Sequence, residues 1–443
     1  MDWRARLSPY LFDSNHIAPL TTFRVVFGAL MLFSTLRFML LGWIEDHYTN
    51  PVFHFSYYGF EWVKPFSVDA MYALHVLLCL AAIGVMLGAF YRISAVLVFV
   101  LFTYFELIDL TYYLNHYYFV SLVSLLLIFL PAHRYGSIDA WRNPSLRSDH
   151  MPAYAINILK FQLGLVYFYA GLAKINSTWL IDAMPLRIWL PAADQLPVLG
   201  PFFAWDCAPW VFSWAGMLYD VSIPFLLLWR KTRVLAYLAV IGFHAVTGWL
   251  FQIGVFPLVM IGATLIFFSE EWHLRLWKPL IHPSQTEKKE TAIRWPSALA
   301  TVIGIYCLFQ LLFPWRFVFY PGNLFWTEEG YRFGWRVMLM EKAGTATFYV
   351  RDGMDGREGV VFNDDFLNPH QEKQMAMQPD MIVQFAHFLG EHFRQGGMSD
   401  PRVRAEVYVT LNGAPSKLLF SDTLNLLTVT DGWAPKTWLY AHE

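Results

Sequence analysis

Residues 153–179 read AYAINILKFQLGLVYFYAGLAKINSTW. From Ala153 to Lys174 the stretch is apolar and long enough to cross the roughly 30 Å hydrocarbon core of a bilayer as a helix. It carries two lysines at membrane depth, Lys160 nearer one end and Lys174 closing the other. Eight similar stretches surround it, at 17–41, 71–90, 94–110, 117–131, 210–229, 234–251, 254–268 and 297–313. In chain order the fourth and eighth of the nine are short and need flanking residues to complete a crossing. Composition agrees: of 443 residues, 56% are hydrophobic and 18% aromatic, and 15% are charged, against about a quarter in a soluble domain. A mean hydropathy of +0.39 excludes an ordinary soluble enzyme and a disordered chain. The net charge of -2 and the absence of a long Lys/Arg run give no sign of a nucleic-acid partner.

Lys and Arg are retained on the cytoplasmic side of membrane proteins. With the N-terminus inside, fourteen basic residues fall on inner segments, among them Arg4, Arg6, Arg92, Arg134, Arg230, Lys288, Lys289 and Arg294. Only Lys64 and Arg187 fall on outer connections before the last span. Miscounting one internal span would scramble that asymmetry, so nine spans with a cytoplasmic N-terminus are expected. Beyond the ninth, charges and glycines spread through the chain. Alternating segments stand at 336–341, 345–350, 405–411 and 417–420, and a helical apolar pattern at 381–393. The expected fold is an α-helical polytopic membrane bundle, residues 1–314, followed by a β-rich α+β soluble domain, 315–443, outside the cytoplasm.

Cys79, Cys207 and Cys307 are odd in number and show neither a disulfide framework nor a metal site, so they read as small buried apolar side chains. No removed signal peptide is expected, because no short apolar run ends in a small-residue cleavage site near the N-terminus. Ionisable groups at membrane depth cost roughly 2.5 to 3.5 kcal/mol on insertion scales, so each invites a functional reading. The orientation puts Asp109, Asn115 and His116 at the turn between spans three and four, Lys174 at the outer end of span five and Arg187 in the next outer loop. Their convergence predicts a site between bundle and domain. Lys174 reads either as a snorkelling lysine or as a base in dry surroundings. Asn115 and His116 read as a helix cap or as part of a site. Asp220 and His244, near mid-depth on neighbouring helices, read as a structural pair. Arg24 and Lys160 read as snorkelling residues, Arg37 and Glu106 as interfacial ones. With no phosphate loop, GxSxG elbow, CxxC or metal-ligand histidine spacing, no metal is expected.

One ordered series runs along nearly the whole chain. Its membrane part comprises Phe23-Arg24, Met86-Leu87-Gly88, Tyr91-Arg92-Ile93-Ser94, Leu107-Ile108-Asp109, Asn115-His116-Tyr117-Tyr118, residues 166–171 (VYFYAG) with Lys174 and Trp179, Phe243-His244, residues 250–256 (LFQIGVF) and Val259-Met260. It continues in Trp326-Thr327, Gly330-Tyr331, Trp335, residues 349–353 (YVRDG) and 407–412 (VYVTLN). In these residues the chain resembles the vitamin K-dependent gamma-glutamyl carboxylase family and its bacterial HTTM-domain relatives.

The resemblance implies a reaction. Reduced vitamin K, as the hydroquinone or a menaquinol-type equivalent, is deprotonated and reacts with O2. The strongly basic oxygenated product removes a γ-proton from glutamate in a peptide or protein substrate, and CO2 adds. A γ-proton is too weakly acidic for any side chain near neutral pH, so the cofactor must generate the strong base. By the same resemblance Lys174 is the hydroquinone base, Asn115 and His116 hydrogen-bond the quinone, Asp109 orients them, and Ile253 and Met260 wall its pocket. Arg187, Trp326, Tyr331 and Trp335 face the glutamate-bearing substrate. The basic and histidine positions that follow in animal enzymes fall here on Met340 and Lys342, and Lys342 is kept as substrate-binding. The missing further lumenal region and paired cysteine, and a single sequon at Asn176-Ser177-Thr178 against the membrane, fit a compact homologue of the bacterial inner membrane. Two other readings stand: a quinol oxygenase or epoxidase without peptide carboxylation, and a non-catalytic membrane binding or assembly protein.

Overall fold

The computed structural model describes residues 11–251, 253–279, 297–354 and 356–442. Arg4, Arg6, Gln252, Lys288, Lys289 and Arg294 lie outside them. A two-stranded clip, β1 (Ser14–His16) with β2 (His150–Pro152), ties the start of the described chain to the segment that enters span five. Among the described residues, nine apolar helices match the nine stretches read from the sequence. They are α1 (Ala18–Leu40), α2 (Val68–Leu87), α3 (Tyr91–Ile108), α4 (Asn115–Phe129), α5 (Tyr154–Ala173), α6 (Ala208–Leu228), α7 (Arg233–Phe251), α8 (Phe256–Thr264) and α9 (Ser297–Leu312). Seven reach spanning length, α9 by running on into the 3₁₀ turn Phe313–Phe319, while α4 and α8 are shorter.

Two glycines set the closest helix approaches. A Cβ on Gly28 would stand 2.6 Å from the Met86 backbone nitrogen, and one on Gly171 would stand 2.6 Å from that of Val221. The α1/α2 and α5/α6 seams therefore pack backbone against backbone. Arg24 departs from the snorkelling expectation. It is fully buried, and its guanidinium donates to the carbonyls of Ala132 (3.1 Å) and Gly136 (2.6 Å), which satisfies a turn that would otherwise bury bare acceptors. Of the cysteines, Cys79 is buried as expected, Cys207 is exposed and Cys307 half-buried.

The C-terminal part is an antiparallel sheet in the order β4-β3-β5-β6, from β3 (Lys342–Asp352), β4 (Glu358–Val361), β5 (Pro401–Leu411) and β6 (Lys417–Leu418). Alternate residues of β5, Val403, Ala405, Val407 and Val409, are fully buried, as the period-2 pattern predicts. Two helices accompany the sheet, α10 (Pro369–Met375) and α11 (Pro379–Gln395). Helix α11 closes the core with Met381, Ile382, Phe385, Ala386 and Leu389 on one face. The alternating stretch 336–341 is not a strand. Trp335 and Met338 take φ of 57° and 56°, which breaks the pleat and turns the segment back toward the bundle.

The domain is fastened to the turn between α3 and α4. Asp109 accepts from Thr111 N (2.9 Å), Thr111 Oγ1 (2.7 Å) and Gln371 Nε2 (2.6 Å). Gln371 Nε2 also donates to the Phe53 carbonyl at 2.7 Å. The Phe333 N–H donates to Tyr113 Oη at 2.6 Å, and Asn115 Nδ2 donates to the Arg336 carbonyl at 2.7 Å.

Candidate active site

Lys174 is the C-cap of α5. Because Gly171 admits α6 at van der Waals contact, Asp220 arrives one helical turn away, and Lys174 Nζ lies 2.8 Å from Asp220 Oδ2. Nζ also donates to the Ala170 carbonyl at 3.2 Å and sits 5.4 Å from the centre of the Trp179 ring. The sequence after Lys174 builds that ring's support. Asn176 caps the short helix Ser177–Leu180 by accepting from Trp179 N (2.9 Å), and Trp179 Nε1 donates to the Ser213 carbonyl (2.9 Å). Side-chain exposure of 7% for Lys174 and 5% for Asp220 makes this a dry ion pair.

The pair stands in the wall of a cavity of about 400 Å³, lined mainly by aromatic and aliphatic groups including Tyr167, Trp189, Phe212, Tyr219, Phe243, Phe256, Ile253 and Met260, with His244 and Thr247 among them. A volume of that size and an almost wholly apolar lining suit a flat, hydrophobic ligand with polar groups at its edge. Beside it lies a middle cavity of about 490 Å³, lined by Arg37, Asn115, His116, Tyr331 and Arg336. Val166, Phe251, Ile253, Phe256, Val337 and Met338 line both, so the two share one wall. A third cavity of about 1010 Å³ opens between the bundle and α10, with Glu106, Asp109, His47, His75 and His370 in its lining. It shares Phe38, Trp43 and Tyr117 with the middle one.

The predicted site residues thus divide among neighbouring chambers. Lys174, Ile253 and Met260 line the apolar cavity. His116 and Tyr331 line the middle one; His116 stacks on Phe256 at 4.9 Å between ring centres and makes no hydrogen bond among the described residues. Asn115 also lines it, but its amide is engaged, donating to Arg336 and accepting from Tyr113 Oη at 3.0 Å. Asp109 faces the third cavity and fastens the domain. Arg187 is exposed, stacked 5.3 Å over Trp210, outside all three.

Three expectations need correction. Asp220 and His244 do not pair: Lys174 takes the carboxylate, and His244 Nε2 hydrogen-bonds Tyr167 Oη at 2.9 Å. Lys342 does not reach the cavities. It is buried in the domain with Nζ 2.8 Å from both Glu328 Oε1 and the Trp326 carbonyl. Trp326 and Trp335 are core residues, Trp326 donating to the Tyr440 carbonyl and Trp335 stacked on Tyr118. Conversely, Arg37 and Glu106 line chambers, and Arg336, which the sequence did not single out, lines one too. The signal available was a charge on the last turn of α1 and another beside Trp335.

Apolar helices long enough to cross a membrane, a dry lysine–aspartate pair among them and a β-rich C-terminal part define an integral membrane protein with an appended β-rich module. Residues 12–272 match the HTTM domain, and residues 295–443 match the vitamin K-dependent gamma-carboxylase, lumenal domain. The chain belongs to the vitamin K-dependent gamma-carboxylase family. No solved structure matches it.

Proposed function

We propose that the protein is a γ-glutamyl carboxylase that couples epoxidation of a vitamin K-type hydroquinone by O2 to addition of CO2 at a peptide glutamate. The observation that carries this reading is the buried Lys174–Asp220 pair at the edge of an aromatic cavity. The aromatic walls fit a quinone ring and its apolar tail, and the pair supplies the only ion pair in that lining among the described residues. When bound, the hydroquinone supplies a phenolic proton and, with O2, a base strong enough for a γ-carbon.

The chain's own residues have narrower tasks. Transfer of the lysine proton along the 2.8 Å bond to Asp220 leaves a neutral amine and a neutral acid, a change that creates no net charge in a dry cavity. The amine is then a base at Nζ for the phenolic proton. Trp179 and the Ala170 carbonyl fix where Nζ points, and the walls exclude the water that a strong base would otherwise consume. His116 offers an unengaged imidazole to the cavity next door, suited to hydrogen bonding at the quinone edge or the developing oxyanion. The peptide glutamate enters the middle cavity with Tyr331 in its wall. On this reading the N-terminus is cytoplasmic, the domains divide near residue 314, and the host membrane is a bacterial inner membrane.

Purified protein supplied with reduced vitamin K, labelled bicarbonate and a glutamate peptide should incorporate label and form epoxide, and Lys174→Ala should lose both. Folded protein that yields neither product overturns the proposal. Burial of Trp326 and Lys342 in the domain and of Trp335 against the bundle favours one rival, a quinol oxygenase without carboxylation, for which epoxide would form without label across many peptides.

A further inference from the structure

The three chambers differ in charge. The apolar cavity is self-neutralised by Lys174 and Asp220, and the third carries Glu106 and Asp109. The middle cavity has two guanidinium residues, Arg37 from the end of α1 and Arg336 from the segment after Trp335, and no Asp or Glu among its lining residues. Neither arginine forms an ion pair among the described residues. Arg37 Cζ lies 4.7 Å from the Trp43 ring. Arg336 is 7% exposed, with Cζ 4.2 Å from the Phe317 ring and Nη1 3.3 Å from the Gly334 carbonyl. Its backbone is fixed by Asn115, and burial pushes its guanidinium down to about 10, with Tyr331 close by. A buried cation flanked by aromatic faces and a carbonyl, with the Arg316 guanidinium as a nearby like charge, is costly until an anion arrives.

Resting on the carboxylase reading, we infer that Arg37 and Arg336 together hold the side chain being carboxylated, one arginine for the carboxylate already present and the second for the carboxylate that forms. Carboxylation breaks one γ-C–H bond; the proton leaves to the base supplied by the quinone and O2, and the electron pair stays on carbon and closes the new C–C bond to CO2. The side chain passes from a charge of -1 to -2 in that step. A chamber with two positive groups and no negative one complements the product, and the transition state leading to it, better than the substrate. A planar guanidinium can grip each carboxylate with two parallel N–H donors.

The test is equilibrium binding of three short peptides to the full-length protein in detergent, without quinone or O2. They differ at one position: γ-carboxyglutamate, glutamate or glutamine. The expected order is γ-carboxyglutamate tightest, glutamate about tenfold weaker and glutamine weaker again. Arg37→Gln or Arg336→Gln should collapse the first step to about twofold while leaving the glutamine peptide unchanged, and Arg336→Lys should restore part of it. Equal binding of all three peptides by the unmodified protein overturns the inference without any variant. So does displacement of the γ-carboxyglutamate peptide by inorganic phosphate as readily as by malonate, which would mark a general anion site. Because the measurement needs no turnover, loss of carboxylation with the peptide order intact would sink the enzymatic reading and leave the clamp standing.

Discussion

Replacing Asp220 separates the stability of the lysine–aspartate pair from its chemistry. In Asp220→Leu, Lys174 keeps the Ala170 carbonyl at 3.2 Å and the Trp179 face, but loses its only counter-charge in a site where its side chain is 7% exposed. Breaking one side of such a buried pair costs about 3 to 5 kcal/mol, because a charge is left without compensation. Lys174→Met should cost a similar amount by stranding the carboxylate. The double variant Lys174→Met/Asp220→Leu strands neither and buries apolar groups of similar size in an already apolar wall. It should recover to within about 1 kcal/mol of the parent, a coupling of several kcal/mol in the double-mutant cycle. Thermal unfolding of detergent-solubilised protein reads the cycle, with epoxide formation measured in parallel. All three variants should be inactive, the double one despite its stability. Additive effects, with the double variant less stable than either single one, would refute the idea that the two groups compensate each other's burial.

Gly171→Leu should separate α5 from α6, since even a Cβ there meets Val221 N at 2.6 Å; a loss of about 1 to 3 kcal/mol by thermal unfolding and loss of turnover are expected. Gln371→Ala removes donors from both Asp109 and the Phe53 carbonyl, costs about 1 to 3 kcal/mol, and should speed proteolysis at the bundle–domain junction. In the domain, burial would push the Asp380 carboxyl up, but the Arg332 guanidinium beside it holds it down to about 2. Its ionised form is therefore the stabilising one. That contribution is complete above the ordinary carboxyl range near pH 4 and fades as pH falls toward 2, so Asp380→Asn should flatten the acid limb of a stability-against-pH curve.

The helices were legible because each is a long apolar run, and Lys174 stood out because a charge in such a run is expensive. Its partner was not legible. Depth along the helices suggested Asp220 with His244, but pairing also depends on helix rotation and approach. The Gly171 contact presents Asp220 to Lys174, while Tyr167 takes the histidine. The stretch 336–341 misled for a related reason: period-2 alternation predicts a strand, and positive φ at Trp335 and Met338 cancels it in a way composition does not reveal. Arg37 and Arg336 stand roughly 300 positions apart in the chain, and only the docking of the domain onto α1 and α4 makes them neighbours of one cavity.

Val337 and Met338 lie in the C-terminal part of the chain, yet they form part of the partition between the two inner chambers. Grafting a foreign module onto this bundle in place of the C-terminal part would remove both residues and leave that partition incomplete, so the separation of the two inner chambers is a property of the joined chain and not of the bundle alone.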